Sequence, residues 1–218
     1  MSCACATTRA CRWCARSGAR AGALPDPVSG SRGSPGRLII VVGPSGSGKD
    51  SVLGYARERL TERSDILFVR RIVTRPATAD AEDHDSLNET DFAEAARAGR
   101  FAVSWQANGL SYALPRTVLD HVERGGTAVA NGSRGALDDI RAAFANVIVA
   151  GLTARPEIIA ARLASRGRET AEDIQRRVER GLKLGAYGQD ITIDNSAELH
   201  LAGEALVSII VSRLSLAS

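Results

Sequence analysis

Short apolar runs and longer amphipathic stretches alternate along this chain from about residue 38 to its end. The apolar runs predict buried strands over 38–42, 65–73, 127–130, 146–152 and 191–193. Helical spacing and helix-start residues predict helices over 51–61, 89–98, 115–123, 156–164, from Thr170 onwards, and over 198–214. The alternation of strands and helices predicts an α/β fold around a parallel sheet.

One region departs from this alternation. The runs 101–105 and 110–112 flank Asn108-Gly109, and an Asn-Gly pair in this position is a strong hairpin signal. An acid-rich polar stretch, 74–89, precedes this region and is predicted to be a loop. The sequence therefore predicts an antiparallel insertion within the α/β domain.

A phosphate-binding loop follows the first apolar run directly. Residues 43–50 read GPSGSGKD and satisfy the GxxxxGK pattern, in which backbone N–H groups surround phosphates and the lysine reaches the β and γ positions. The residues predicted to bind ATP are Gly43, Pro44, Ser45, Gly46, Ser47, Gly48, Lys49, Asp50 and Ser51. A buried strand before the pattern and a helix after it are the context that supports this interpretation.

The metal end of this loop is unusual. Asp50 occupies the position at which the motif carries the Ser or Thr that holds Mg²⁺, and a hydroxyl group appears only at Ser51. The sequence predicts that Asp50 or Ser51 anchors Mg²⁺, directly or through water.

Arginines are concentrated around a glycine-containing break, with Arg162, Arg166 and Arg168 close together and Arg177 on the next predicted helix. A lid over about 163–172 would exclude water from a phosphoryl-transfer site. We therefore expect Lys49, Arg166, Arg168 and Arg177 to stabilise the transferring phosphoryl group.

The charge of the chain is unevenly distributed. Residues 1–37 contain six arginines and one aspartate, a net charge of +5, so the whole-chain value of +3 leaves −2 for the remainder. Nucleic-acid binding by the domain is therefore not expected. No apolar run approaches the length of about 18 residues that a membrane-spanning helix needs.

All four cysteines, Cys3, Cys5, Cys11 and Cys14, lie in the same basic segment. They could supply four thiolates to zinc, although the one-residue spacing of the first pair is poor for a zinc knuckle. The alternatives are a disordered Cys/Arg-rich extension or an organellar transit peptide. We predict an extension and linker over 1–36 and a catalytic domain over 37–218, with the cytoplasm as the expected compartment.

The order of motifs resembles the guanylate kinase branch of the P-loop kinases over roughly 38–214. Thr74-Arg75-Pro76 resembles that family's Thr-Arg-Pro motif, the segment 112–115 its Tyr-Gly-Thr-Pro motif, and 166–169 its lid. This resemblance implies a nucleoside-monophosphate-kinase-like three-layer fold with a parallel sheet core, an acceptor-binding insertion (about 71–115) and a lid. Guanylate kinases read guanine with a glutamate and an aspartate, whereas this chain has Ser104 and Asn131 there, so GMP is not the expected acceptor.

A closer resemblance, to the ribose 1,5-bisphosphate phosphokinase family, comes from GPSGSGKDS, VTRP, EDH, SWQANGLSY and NGSR. It implies transfer of the ATP γ-phosphoryl group to the 1-phosphate of ribose 1,5-bisphosphate, giving 5-phosphoribosyl 1-diphosphate and ADP, in phosphonate metabolism or a minor route to that product. The expected partners are these small-molecule substrates. The candidate acceptor-binding residues are Arg75, Ser104, Tyr112, Asn131 and Arg134.

Two other functions stay open on the sequence: a nucleoside-monophosphate kinase of the guanylate type, and a non-catalytic guanylate-kinase-like binding module. The intact loop glycines and Lys49 argue against the module. His84 is either catalytic or a solvated turn residue, Trp105 and Phe101 are expected in the core, and His121 and His200 are expected to be structural.

Overall fold

The computed structural model describes residues 36–75, 84–165, 170–183 and 188–212. Of the predicted extension and linker over 1–36, all but Gly36 lies outside the described residues, including the four cysteines, and so do the predicted lid arginines Arg166 and Arg168. The strands are β1 (Arg37–Val42), β2 (Ile66–Phe68), β3 (Arg71–Val73), β4 (His84–Ser86), β5 (Phe101–Ala107), β6 (Leu110–Pro115), β7 (Thr127–Asn131), β8 (Val147–Thr153) and β9 (Ile191–Asp194). The helices are α1 (Lys49–Arg59), α2 (Glu89–Arg97), α3 (Arg116–Glu123), α4 (Leu137–Ala143), α5 (Pro156–Ala164), α6 (Ala171–Lys183) and α7 (Leu199–Val211), and a 3-10 turn spans Arg134–Ala136.

The central sheet of the described chain is parallel, with the strand order β2-β7-β1-β8-β9. Its middle strand, β1, is buried along its whole length, as expected for a parallel strand with helices on both faces. Ile39 and Val41 pack against α1 and α7, whereas Leu38, Ile40 and Val42 pack towards α3 and α4. The predicted α/β fold with a parallel sheet core is confirmed.

A second sheet, with the order β4-β3-β6-β5, forms the insertion. Its β5–β6 hairpin closes where Ala107 pairs with Leu110, and Asn108 (φ 52°) and Gly109 (φ 76°) form the two-residue turn. Positive φ at both central positions is the geometry that favours Asn-Gly, so the predicted hairpin is confirmed.

The single strand predicted over 65–73 is wrong, because the structure divides it between the two sheets. β2 pairs with β7 in the central sheet, and Val69 N–H still donates to Val129 O at 2.9 Å. Arg70 then turns towards β4, donating to His84 O and pairing with the Asp85 carboxylate at 3.0 Å. The chain leaves the core sheet at this point, and β3 begins the insertion.

Three further local predictions need correction. The predicted polar loop over 74–89 contains β4, which pairs in parallel with β3. Helix α1 begins at Lys49 rather than at residue 51, since Gly48, in a left-handed conformation, is the N-cap residue. Helix α4 had no counterpart among the predicted elements. No helix in the described part of the chain is long and apolar enough to cross a membrane.

The first strand is tied to the last helix by a buried arginine. Arg37 is only 8% exposed, its burial lowers its pKa, and its guanidinium donates to the Ile210 carbonyl at 2.7 Å near the end of α7. A cation at a helix C-terminus also interacts favourably with the helix dipole.

We expect Arg37→Ala to lower the free energy of unfolding by about 1.5–3 kcal/mol, because it removes a charged hydrogen bond and leaves a helix-end carbonyl without its donor. Urea denaturation of the full chain measures this change. The matched control is Arg59→Ala, which removes a pair with Glu204 from a side chain that is 59% exposed and should cost less than about 1 kcal/mol. Equal losses in the two variants would contradict the proposed role of Arg37.

Candidate active site

The phosphate-binding loop lies between β1 and α1, at the carboxyl end of the central strand. Gly46 (φ 84°) and Gly48 (φ 89°) adopt left-handed conformations that side chains disfavour. A Cβ atom at Gly43 would overlap with the Leu152 carbonyl, and one at Gly48 would overlap with the Asn195 amide. Gly46 is therefore required by its backbone conformation, Gly43 by close packing and Gly48 by both.

Lys49 is the first residue of α1, and its side chain folds back over the loop. Its Nζ donates to the carbonyls of Gly43 at 3.0 Å and Pro44 at 3.1 Å. The ammonium group thus lies beside the first residues of the loop, where the positive end of the helix dipole also favours an anion.

The loop is held from behind through the Ser47 carbonyl. This oxygen accepts from Asn195 Nδ2 at 2.8 Å and from Arg162 at 3.3 Å, and Arg162 also donates to the Asn195 carbonyl at 3.0 Å. Asn195 is only 2% exposed, and its backbone N–H donates to Thr153 O at 2.8 Å. The ends of β8 and β9 and helix α5 therefore fix one carbonyl of the loop.

Asn195 was missed by sequence reasoning. The available signal was its place directly after β9, because ligand-binding residues of parallel sheets gather at the carboxyl ends of the strands.

Helix α6 brings one predicted catalytic arginine to the loop. The Arg177 guanidinium donates to Ser45 Oγ at 3.3 Å, across 132 residues of sequence. Both groups are exposed, so the contact lies on the open side of the loop.

At the metal end of the loop, Asp50 Oδ1 accepts a hydrogen bond of 2.9 Å from Asn131 Nδ2. Asp50 and Ser51 are exposed, whereas Asn131 is 6% exposed at the end of β7. Asn131 had been predicted to contact the acceptor, but the structure places its amide on the loop carboxylate.

The donor set at Asp50 and Ser51 is compatible with Mg²⁺. Within the described ranges, no group of three or more His, Cys, Asp or Glu side chains could hold a metal ion. Mg²⁺ generally keeps several waters and uses one or two carboxylates together with substrate phosphates, so a dedicated protein cage is not required.

The insertion sheet separates two of the predicted acceptor-binding residues. Trp105 pairs with Tyr112, and their rings stack with centroids 5.7 Å apart, whereas the next residue back, Ser104, pairs with Ala113. Because successive side chains alternate between the faces of a strand, Ser104 and Tyr112 lie on opposite faces. The structure therefore does not bring them to one side of the insertion sheet.

A buried arginine packs over the half-buried ring of Tyr112. The Arg71 guanidinium carbon is 5.3 Å from the centroid of its ring, and Arg71 pairs in register with His84 on β4. His84 is 6% exposed, so the interpretation as a solvated turn residue is wrong.

Arg75 follows β3, and its Nε is buried without a hydrogen-bond partner among the described residues. Arg134 lies in the 3-10 turn that follows β7, on the loop side of the central sheet.

The remaining aromatic and histidine predictions concern packing. Trp105 is buried in the core, as predicted, and Phe101 lies 4.8 Å from Phe92 between ring centroids. His121 contacts Asp65 O and His200 pairs with Glu198, each at 3.2 Å, so both have partners that the sequence did not indicate.

Comparison with known proteins agrees with this geometry. The chain matches the AAA domain family over residues 39–182. It is 42% identical over 174 residues to ribose 1,5-bisphosphate phosphokinase PhnN from Agrobacterium fabrum, covering 79% of this chain and 95% of that protein. The PhnN from Brucella melitensis is 47% identical over 174 residues, covering 79% and 90%.

Among solved structures, guanylate kinase from Anaplasma phagocytophilum superposes with a TM-score of 0.58 and 16% sequence identity, covering 82% of this chain and 86% of that one. At this identity the similarity establishes the fold alone. The much closer sequence relatives, which match nearly along their whole length, place this chain in the ribose 1,5-bisphosphate phosphokinase PhnN family of P-loop kinases.

Proposed function

We propose that this protein transfers the γ-phosphoryl group of ATP to the 1-phosphate of ribose 1,5-bisphosphate, giving 5-phosphoribosyl 1-diphosphate and ADP. The observation that carries the proposal is the sequence identity of 40–47% to proteins named ribose 1,5-bisphosphate phosphokinase PhnN, over about four fifths of the chain. The intact phosphate-binding loop supports catalysis rather than a binding role.

The reaction needs no general base, because an oxygen of the acceptor phosphate is already ionised at neutral pH. That oxygen forms a bond to the γ-phosphorus, and the bond between this phosphorus and the bridging oxygen breaks. The electron pair stays on the β-phosphate of ADP. The protein's task is therefore to align the two phosphates and to stabilise the charge that spreads over the transferring group.

The loop supplies the donor half of this alignment. Its N–H groups and Lys49 surround the β and γ phosphates, and the Ser47 carbonyl, held by Asn195 and Arg162, fixes the loop backbone. Asp50 or Ser51 would hold Mg²⁺, which would supply positive charge beside the phosphates when bound. We propose that Arg177 stabilises the transferring group, with Arg166 and Arg168 as its partners in a lid; its contact with Ser45 of the loop supports this role.

The acceptor half is proposed to lie on the insertion, with Arg75 as the principal phosphate contact and Tyr112 and Arg134 as further contacts. The buried Nε of Arg75, without a partner among the described residues, supports this role, since an acceptor phosphate would supply the missing hydrogen-bond acceptor. Ser104 lies on the opposite sheet face from Tyr112, so we do not propose that it contacts the acceptor phosphate together with Tyr112.

These substrates are charged metabolites, so we propose that the enzyme works in the cytoplasm with no membrane or nucleic-acid partner.

The first test is an acceptor panel. With MgATP, we expect ADP release only with ribose 1,5-bisphosphate, and not with GMP, AMP or buffer alone, because the guanine-reading acids of guanylate kinases are absent here. Lys49→Ala should lower kcat/KM by about 10²- to 10³-fold, as expected when a group that stabilises phosphate charge is lost. Preference for GMP would move the guanylate-type kinase to first place, and ATP binding without any turnover would favour the binding module.

The second test concerns Arg75. Arg75→Ala should raise KM for ribose 1,5-bisphosphate at least about tenfold, with KM for ATP unchanged, because a charged hydrogen bond contributes roughly 1.5–3 kcal/mol. Arg70→Ala is the control, since Arg70 lies close in sequence but forms an exposed pair with Asp85. Steady-state kinetics that vary each substrate separately would refute the assignment if the two variants behaved alike.

The third test concerns the hydrogen bonds that Asn195 and Arg162 donate to the Ser47 carbonyl. Asn195→Ala should weaken ATP binding about tenfold, because the Ser47 carbonyl loses its shorter hydrogen bond and the loop backbone is less constrained. Isothermal titration calorimetry without acceptor measures this loss. Thr192→Ala, an exposed position on the same strand β9, should leave ATP affinity unchanged. An unchanged affinity in Asn195→Ala would show that Arg162 alone holds the loop.

A further inference from the structure

The hydrogen bond between Asp50 and Asn131 joins the last position of the phosphate-binding loop to the end of a neighbouring strand. In the register of the central sheet, Asn131 pairs with Val41, one residue before the end of β1. The two side chains meet across 81 residues of sequence at 2.9 Å. Such a contact follows directly from placing β7 beside β1 in a parallel sheet.

General P-loop chemistry gives these two positions a meaning. P-loop enzymes commonly hold Mg²⁺ between the hydroxyl of a loop Ser or Thr and an aspartate on another strand, so the strand supplies the carboxylate and the loop a neutral oxygen. Here the carboxylate is on the loop, as Asp50, and the neutral group is on the strand, as Asn131. The pair still carries a single negative charge, but that charge is on the loop instead of on the neighbouring strand.

We infer that Asp50 and Asn131 form a charge-exchanged magnesium-binding pair, in which Asp50 is the anionic ligand and Asn131 is its positioning residue. Asn131 Nδ2 holds Oδ1 of the carboxylate, and Oδ2 has no partner among the described residues. Because Asp50 is exposed, Oδ2 is left to bind a cation or one of its waters. This inference rests on the proposed use of MgATP but not on the identity of the acceptor.

Burial explains why the strand position carries an amide. An aspartate at the 6% exposed position 131 would place a second carboxylate within hydrogen-bonding distance of the first, in a poorly solvated site. The asparagine instead donates a hydrogen bond, satisfying Asp50 while adding no charge beside the nucleotide phosphates. Asn131 is thereby assigned to the metal side of the site rather than to acceptor recognition.

A double-mutant cycle tests the exchange. Mn²⁺ is the probe, and its affinity for the complex of the full chain with ATP, without acceptor, is measured by electron paramagnetic resonance. Asp50→Ser and Asp50→Asn should each weaken Mn²⁺ binding at least about tenfold, because both remove the anionic ligand. Asn131→Asp alone, which removes the hydrogen bond that Nδ2 donates to Asp50 Oδ1, completes the cycle. The double variant Asp50→Ser with Asn131→Asp, which restores the common arrangement, should bind Mn²⁺ within about threefold of the unaltered protein.

Matched controls separate the metal role from folding and from the acceptor assignment. Asp139→Asn, at an exposed carboxylate in the first turn of α4, should leave Mn²⁺ affinity unchanged. Thermal unfolding identifies any variant that fails to fold, and Asp50→Asn, which keeps the side-chain shape, then remains as the test. The inference would be overturned if both Asp50 variants bound Mn²⁺ with the affinity of the unaltered protein. It would also be overturned if the double variant bound Mn²⁺ no more tightly than the weaker-binding of the two single variants. Normal Mn²⁺ binding with no turnover on ribose 1,5-bisphosphate would instead count against the proposed function alone.

Discussion

Full burial of β1 is the constraint on which the site depends. Its residues 38–42 are inaccessible to solvent, because helices cover both faces of the central sheet. The strand therefore delivers the glycine loop to a fixed point. Since β7, β8 and β9 run parallel to it, Asn131, Thr153 and Asn195 reach the same edge. The chemistry gathers there because parallel strands present their carboxyl ends together.

The loop combines a rigid back with an open front. Behind it, the Ser47 carbonyl is fixed by the buried Asn195 and by Arg162. Gly43 and Gly48 leave room for the Leu152 carbonyl and the Asn195 amide, which a side chain would overlap. In front, Lys49, Asp50 and Ser45 face solvent or lie near it, where an anionic nucleotide can reach them. Fixing the backbone before the substrate arrives reduces the ordering cost of binding, which is how a loop of small residues can act as a preorganised site.

Charge is distributed in this site differently from the common P-loop plan. The loop itself carries the carboxylate, the neighbouring strand carries an amide, and on the insertion the Arg71 guanidinium lies over the ring of Tyr112. A site of this composition suits an acceptor that is rich in phosphate and has no base to be read. The family relationship and the physical properties of the site therefore support the same class of substrate.

The sequence alone determined the features that depend on local periodicity and local backbone conformation. These include the strand, glycine loop and helix around Lys49, the Asn-Gly hairpin, the α/β class and the family resemblance. The tertiary structure decided which distant groups meet: the Asn195 amide donates to the Ser47 carbonyl, and the Asn131 amide donates to the Asp50 carboxylate. It put Ser104 and Tyr112 on opposite faces of the insertion sheet. It also divided one predicted strand between two sheets and placed His84 in a strand. Such contacts depend on strand order and register, which arise from packing over separations of 81 and 148 residues, whereas periodicity reports only on neighbours along the chain.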